Sequence, residues 1–240
     1  MLPSQTVENY LKTIYLAQAD RPAAEGLVPM GHLATALGVV PGTATTMVKT
    51  LAESGLVHYE PYAGVRLTAA GEKLAGLVLR RHRLIELFLV KILGMSWADV
   101  HDEAERLEHA VSERLIDRID DMLGRPAVDP HGDPIPTPEG TLPRTQHANL
   151  LTAPLHTRLV VERVLDQDAE FLRFVEEQQL MPGSRIVIDS RDPAADAVRV
   201  LTASNQVIAV GTRAASNILV STGVIASSAG GALTAAWTPS

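Results

Sequence analysis

The sequence predicts a mainly α-helical protein that opens on a winged helix-turn-helix, continues as a helical domain and closes on a small β domain. Three observations carry this. Two short helical stretches meet at a glycine-containing turn around Gly38 and run directly into a hairpin pattern. A helical periodicity then extends from Thr68 to about Leu123, interrupted only near Gly94. Beyond residue 155, short β-type runs alternate with turns.

Taken in order, Val7, Leu11, Ile14, Tyr15 and Leu16 keep helical spacing and predict a first helix over Val7 to Ala19. Arg21 to Pro29 reads as a loop. Met30 to Leu37 forms a short helix ended by Gly38, and Thr43 to Ser54 a second one ended by Gly55. This second helix sets Thr43, Thr45, Thr46 and Lys49 on one side, with Ala44, Met47, Val48 and Leu51 on the other. The first group is the candidate DNA-reading face. Leu56 to Glu60 and Val65 to Thr68, joined through Pro61–Gly64, make the wing, with Arg66 as its basic contact. Thr68 opens a long helix to about Leu93. Its Arg80-Arg81-His82-Arg83 run reads as a solvated face or phosphate contact, while His82 and Glu86 share a face four residues apart.

The stretch 100–109 is the most informative in the chain. Ser96 is a plausible N-cap and no Pro or Gly interrupts residues 97–109, so it reads as helix. At about 100° per residue, His101, Glu105, Glu108 and His109 fall within an arc of roughly 100°, and Val100, Ala104, Leu107 and Val111 lie nearly opposite. One stripe is apolar; the other offers imidazoles and carboxylates, ligands suited to a divalent manganese, iron or zinc ion. Ser112 to Leu123 continues as helix. Gly124 to Pro154 carries Pro126, Pro130, Pro134, Pro136, Pro138, Pro143 and Pro154 and reads as an extended linker, with Asp129 and His131 close together inside it. Thr157–Leu165, Arg185–Asp189, Ala197–Thr202 and Gln206–Val210 read as strands and Ala169–Gln178 as helix, together a small β-rich barrel. Ala226 to Ser240, mostly Ala, Ser, Gly and Thr, reads as a disordered tail.

Composition narrows the function. The 240 residues contain no cysteine, which excludes disulfides, thiolate zinc sites and cysteine nucleophiles and leaves any metal to oxygen and nitrogen ligands. A formal net charge of −7 is unusual for a nucleic-acid binder, so DNA contact must come from local basic surface. The first eight residues have neither a basic nor an apolar signal region, and no apolar run reaches membrane-spanning length, so a cytoplasmic protein is expected.

The series of winged helix, His/Glu-bearing helices, Pro-rich segment and small β domain resembles the diphtheria toxin repressor and manganese transport regulator family of metal-dependent transcriptional repressors. The most specific pieces are Glu8–Tyr15, Arg81–Glu86, the helix over 101–109, and Pro130-His131-Gly132-Asp133-Pro134-Ile135-Pro136. The resemblance implies a DNA-binding domain over residues 1–70, a helical metal-binding and dimerisation domain over 71–145, an SH3-like domain over 155–224 and a tail over 225–240. It implies one metal site joining the N-terminal helix, through Asn9, to Glu105, Glu108 and His109. A second would use His82, Glu86 and His101, aided by Asp129 and His131 or by Asp168 or Glu170 of the third domain. Iron-responsive members carry Cys where this chain has Glu105, so Glu105 points to Mn²⁺, with Fe²⁺ the chemical neighbour. Asn9 matches neither subgroup, and some manganese members carry Glu where this chain has Lys12. The expectation is a homodimer, joined through residues 84–123, that binds an operator in double-stranded DNA and represses metal-uptake genes. The alternatives are a metal-independent winged-helix regulator and a metallohydrolase; for the latter the sequence offers no candidate acid–base.

Overall fold

The computed structural model describes residues 4–19, 26–143 and 145–222. Over them the chain divides into two compact units, Met1–Gln146 with Arg163–Pro182 and His147–Glu162 with Gly183–Ser240. The tail expected over 225–240 lies outside the described residues.

The first unit begins with α1 (Gln5–Ala19), α2 (Met30–Ala36), α3 (Pro41–Glu53), β1 (Val57–Glu60) and β2 (Gly64–Leu67). Leu11 and Ile14 of α1 meet Leu33, Val48, Leu51 and Val65 in one core, each at most 1% exposed. That core joins α1 to both helices of the helix-turn-helix. Gly38 takes a positive φ of 64° between α2 and α3, a conformation that costs other residues strain. α3 begins two residues earlier than the sequence predicts. Pro41 sits in its first turn, where a missing N–H is harmless and the fixed φ suits a helix. β1 and β2 pair antiparallel in the expected hairpin, from Val57↔Leu67 to Glu60↔Gly64. Val28, expected in a loop, adds a bridge to Val65 with backbone bonds of 2.8 and 3.0 Å.

Thr68 caps α4 (Ala69–Lys91) by accepting from the Gly71 amide at 3.1 Å. α5 (Val100–Leu107) starts from Asp99 rather than Ser96, whose hydroxyl instead accepts from the Ala98 amide in the preceding turn. α6 (Glu113–Met122) is capped by Ser112. Leu84, Ile85, Val100, Ala104 and Ile116 form the core where these three helices meet.

Two expectations fail here. The Arg80–Arg83 run is not a solvated face: all four residues are at most 7% exposed. The Pro-rich stretch is not a spacer either. Residues 131–136 are buried, Asp129 and Asp133 close a tight turn, and the segment straps across α4. Arg80 donates to the Pro136 carbonyl at 2.9 Å and Arg83 to that of Pro134. α7 (Ala169–Glu177) also belongs to the first unit, where Glu176 accepts from the Trp97 indole at 3.2 Å.

The second unit is organised by a six-stranded sheet in the order β3-β8-β4-β5-β6-β7, formed by β3 (Ala148–Asn149), β4 (Arg158–Val164), β5 (Arg185–Asp192), β6 (Ala197–Thr202), β7 (Val207–Gly211) and β8 (Ile218–Thr222), with α8 (Thr212–Ser216). The expected barrel is not closed. β3 is two residues long and pairs with β8, leaving β3 and β7 as the sheet's two edges.

A close approach tests the strap. A Cβ at Gly76 of α4 would lie 1.9 Å from the Gly140 carbonyl oxygen. Gly76→Ala is expected to cost about 1–3 kcal/mol through forced displacement of the strap. Denaturant unfolding reads this directly, and an unchanged midpoint would contradict the contact.

Candidate metal centre and nucleic-acid face

His82 and Glu86 lie one turn apart on α4, facing α5 and the residues just beyond it. His82 is 5% exposed and Glu86 1%. The two ring nitrogens of His82 meet different groups: Nδ1 lies 2.6 Å from Glu108 Oε2, and Nε2 lies 2.9 Å from Glu86 Oε1 and 3.2 Å from His101 Nδ1. His101 Nδ1 is itself 3.1 Å from Glu86 Oε1. Burial alone would lower the His82 pKa, but hydrogen bonds to Glu108 and Glu86 overcome it and raise it to about 9. Burial likewise pushes Glu86 up, and the bonds from His101 and His82 more than reverse this, holding it well below the carboxylate range.

The other oxygen of Glu86 faces the strap. Its Oε2 lies 3.8 Å from His131 Nδ1. His131 is completely buried, and its Nε2 donates to the Trp97 carbonyl at 2.9 Å, which leaves Nδ1 as the lone-pair nitrogen. Asp129 Oδ1 accepts from the amides of His131 and Asp133 at 2.8 and 3.0 Å. Its Oδ2 lies 3.4 Å from Arg83 Nε without a hydrogen bond. Burial, then Asp133 and Glu86, push the Asp129 carboxyl well above its ordinary value. Glu86 Oε2, Asp129 Oδ2 and His131 Nδ1 are thus all shielded and without hydrogen-bond partners.

Three buried acceptors left unmet are costly unless a cation or proton serves them. Ligand atoms of Glu86, Asp129 and His131 lie within 4.8 Å of one another, as do those of His82, Glu86 and His101 and those of His82, Glu105 and Glu108. All three sets are nitrogen and carboxylate oxygen, and His131 has the carbonyl-oriented tautomer typical of metal-bound imidazoles. The residues therefore fit a divalent ion of the manganese or iron kind.

On α1, Asn9 Oδ1 is shielded and accepts no hydrogen bond. Glu8 and Lys12 of the same helix reach the cluster. Glu8 takes a 2.6 Å bond from Arg81 through one oxygen and sits 2.6 Å from His109 Nδ1 through the other. The Lys12 ammonium contacts Glu105 and, at 2.8 Å, Glu108 Oε1. Glu8 and Lys12 lie four residues apart on one face of α1, and that spacing was the available signal. Asp168 is also elsewhere: it is exposed and caps α7 by accepting from the Glu170 and Phe171 amides. Glu170 is exposed in that first turn.

On the helix-turn-helix, Thr43, Thr46 and Lys49 are exposed along α3 and Thr45 is half-buried. The hydroxyls of Thr45 and Thr46 donate to the carbonyls of Pro41 and Gly42 at 2.9 and 3.0 Å. Their protons are committed. Arg66 is exposed on the wing opposite His58.

A winged helix on a helical unit that gathers buried histidines and carboxylates defines a class, the metal-responsive DNA-binding regulators. Models for the iron dependent repressor family match the N-terminal DNA binding domain at residues 3–65 and the metal binding and dimerisation domain at 68–137, and a FeoA domain matches 148–222. The chain is 35% identical over 122 residues to the transcriptional regulator MntR of Lysinibacillus sphaericus, covering 51% of this chain and 84% of that protein. It is 30% identical over 198 residues to the iron-dependent repressor IdeR of Mycobacterium tuberculosis, covering 77% and 84%. A manganese-dependent transcriptional repressor solved in complex with manganese superposes with a TM-score of 0.82 at 40% identity, covering 90% of this chain and 99% of that one. The chain belongs to the iron-dependent repressor family, whose members are DNA-binding transcriptional regulators and not enzymes.

The His82 pKa gives a pH prediction. A ligating Nε2 must lose its proton, so Mn²⁺ uptake at pH 7 is expected to release about one proton from His82. Apparent affinity should rise about tenfold per pH unit, flattening near pH 9. In the metal-free protein the raised pKa adds stability that is complete below the ordinary histidine value and fades as pH rises through about 9. Calorimetry in buffers of different ionisation enthalpy counts the proton; equal affinity at pH 7 and 9 would contradict it.

Proposed function

We propose that this chain is a manganese-responsive homodimeric regulator that represses metal-uptake genes, with Fe²⁺ as a second effector. The observation that carries the metal half is Glu86. It is 1% exposed, one of its oxygens meets His82 and His101, and the other, without a hydrogen-bond partner, lies 3.8 Å from His131 Nδ1. A bound divalent ion supplies the positive charge that the orphaned acceptors around Glu86 lack. His82, Glu86 and His101 are its proposed ligands, with Asp129 and His131 as further donors. The absence of cysteine and the carboxylate at Glu105 favour manganese over softer ions. Intrinsic affinity runs against manganese, so selectivity rests on geometry and supply.

α5 carries His101 and Glu105, α4 carries His82 and Glu86, and α1 reaches the same cluster through Glu8 and Lys12. Tightening this cluster fixes the winged helix against the helical unit. Moving a 1:99 population to 99:1 takes about 5.5 kcal/mol of preference for the DNA-competent arrangement. The dimer contact proposed within residues 84–123 is supported by Ile92, Leu93, Leu115 and Met122, large apolar side chains exposed by 47–64%. Two winged helices would then address half-sites roughly 34 Å apart. Thr43, Thr45, Thr46 and Lys49 are the proposed major-groove residues and Arg66 the phosphate contact. The sheet unit is proposed as an SH3-like accessory domain. No helix among the described residues is long and apolar enough to cross a membrane, which agrees with action on DNA in the cytoplasm.

Two measurements check this reading. Operator fragments selected from genomic DNA should be retained with Mn²⁺ and released with chelator, and His101→Ala should remove the difference. Equal retention with and without metal would favour a metal-independent regulator. Arg66→Ala should weaken binding to all sequences alike and reduce the slope of log affinity against log salt by about one; a sequence-selective loss would make Arg66 a base reader.

A further inference from the structure

The tip of the wing breaks two local preferences at one residue. The Glu60 carbonyl accepts from the Ala63 amide at 3.1 Å, and between them Tyr62 takes a φ of 65°. Pro61 cannot adopt a positive φ, so this is a type II turn, whose third position belongs to glycine or asparagine. A bulky side chain is strained there. The glycine of the hairpin is needed elsewhere: a Cβ at Gly64 would lie 2.4 Å from the Val28 carbonyl oxygen. The second preference concerns solvent. Tyr62 is completely exposed, at 107%, so packing does not offset the strain.

One exposed apolar side chain calls for no explanation. An exposed aromatic held in a strained turn points to a use outside the fold. Among the described residues of the winged helix, the large apolar side chains left exposed are Val40, at 68%, and Tyr62. Val40 caps the start of α3 and Tyr62 ends the wing, so both sit on the elements that carry the candidate DNA contacts. In the turn 60–64, Glu60 is acidic and Pro61, Ala63 and Gly64 carry no side-chain donor, which leaves the Tyr62 hydroxyl as its one side-chain donor. Tyrosine hydroxyls donate to phosphate oxygens, and the ring adds a flat apolar face that fits a deoxyribose.

We propose that Tyr62 is a DNA-backbone contact of the wing: its hydroxyl donates to a phosphate oxygen beside the half-site and its ring covers the adjoining sugar. This rests on the reading above in which α3 and Arg66 engage the duplex. The left-handed turn is what lifts the ring clear of the hairpin, and the strain is offset when the ring leaves water against the sugar. Because the phenol is neutral, its contact releases no counterion. Arg66 and Tyr62 therefore act differently on the same backbone: Arg66 adds salt-sensitive affinity, and Tyr62 adds affinity that salt leaves alone.

The test uses the full chain with Mn²⁺ on the selected operator fragments, comparing the wild type with Tyr62→Gly, Tyr62→Phe and Arg66→Ala. Tyr62→Gly removes the ring and relieves the turn, so its unfolding midpoint should equal or exceed that of the wild type. Its operator affinity should nonetheless fall about tenfold over the two subunits, with an unchanged salt slope. Tyr62→Phe keeps the ring and loses the phosphate bond, so its affinity should lie between the two. Hydroxyl-radical footprinting locates the contact: sugars shielded beside the half-site by the wild type should become open with Tyr62→Gly. Wild-type affinity and footprint in Tyr62→Gly overturn the proposal, and so does a lowered unfolding midpoint, which makes the ring structural. If Arg66→Ala weakens binding and Tyr62→Gly does not, the DNA reading stands and the Tyr62 contact falls. If the wild type protects no fragment, that reading fails and takes the contact with it.

Discussion

Four consecutive charged residues buried in one helix govern the architecture of the first unit. Residues 80–83 of α4 advance by about 100° each, so they point in four directions, and each demands compensation where it points. Arg80 reaches Asp120 of α6 and the strap, Arg81 reaches Glu8 of α1 and Glu113 of α6, His82 reaches the α5 segment, and Arg83 reaches the strap. A buried charge without a partner costs several kcal/mol, so every neighbour of α4 must present its carboxylate or carbonyl in register. Apolar contacts between helices tolerate small slides; these pairs do not. The charged ring therefore sets where α1, α5, α6 and the strap sit, and the proposed metal ligands inherit that placement.

This explains what the sequence could and could not disclose. The helix-turn-helix, the wing and the start of α4 at Thr68 are written in near neighbours, and they appear within a residue or two of where periodicity and capping put them, whereas Ser112, read as a continuation of helix, instead caps a separate α6. The His82/Glu86 pair and the His101–His109 stripe were legible for the same reason. The partners of the arginine run lie 32 to 73 residues away in sequence, so nothing local distinguishes it from a solvated basic patch. The prolines of the strap look like linker punctuation, yet the carbonyls of Pro136 and Pro134 accept from Arg80 and Arg83. Asp168 shows the ordinary competitor to a metal-ligand reading, since an Asp before a helix finds two amides of its own first turn. An isolated histidine would yield its proton near the ordinary value, whereas two buried carboxylates hold the His82 proton to about 9.

The acidic chain and the sparsely basic recognition surface also fit together. Lys49 and Arg66 are exposed, whereas Arg80, Arg81 and Arg83 are consumed internally. On the proposed reading, few phosphate contacts per subunit would mean weak attachment of one copy, with the counterion term shared over two winged helices. On the proposed reading, discrimination would fall to α3, where the bonded hydroxyls of Thr45 and Thr46 would leave mainly methyl groups and acceptor lone pairs for the groove. Such a surface prefers donors and thymine methyls on the base edges.

α1 is the element that joins the two halves of this chemistry. On one face Glu8 and Lys12 enter the charged cluster; on the other Leu11 and Ile14, both completely buried, pack against α2, α3 and the wing. Close-packed cores move as bodies rather than deforming continuously, so a shift of α1 against α5 carries the whole winged helix with it. The reverse holds as well. If DNA fixes two winged helices at a set spacing, it fixes α1 in each subunit and with it the Glu108 carboxylate that orients His82. Thermodynamic reciprocity then requires that DNA tighten metal binding by the same factor by which metal tightens DNA binding. The path is short and physical: groove to α3, α3 to Leu11 and Ile14, α1 to Lys12, Lys12 to Glu108, Glu108 to His82.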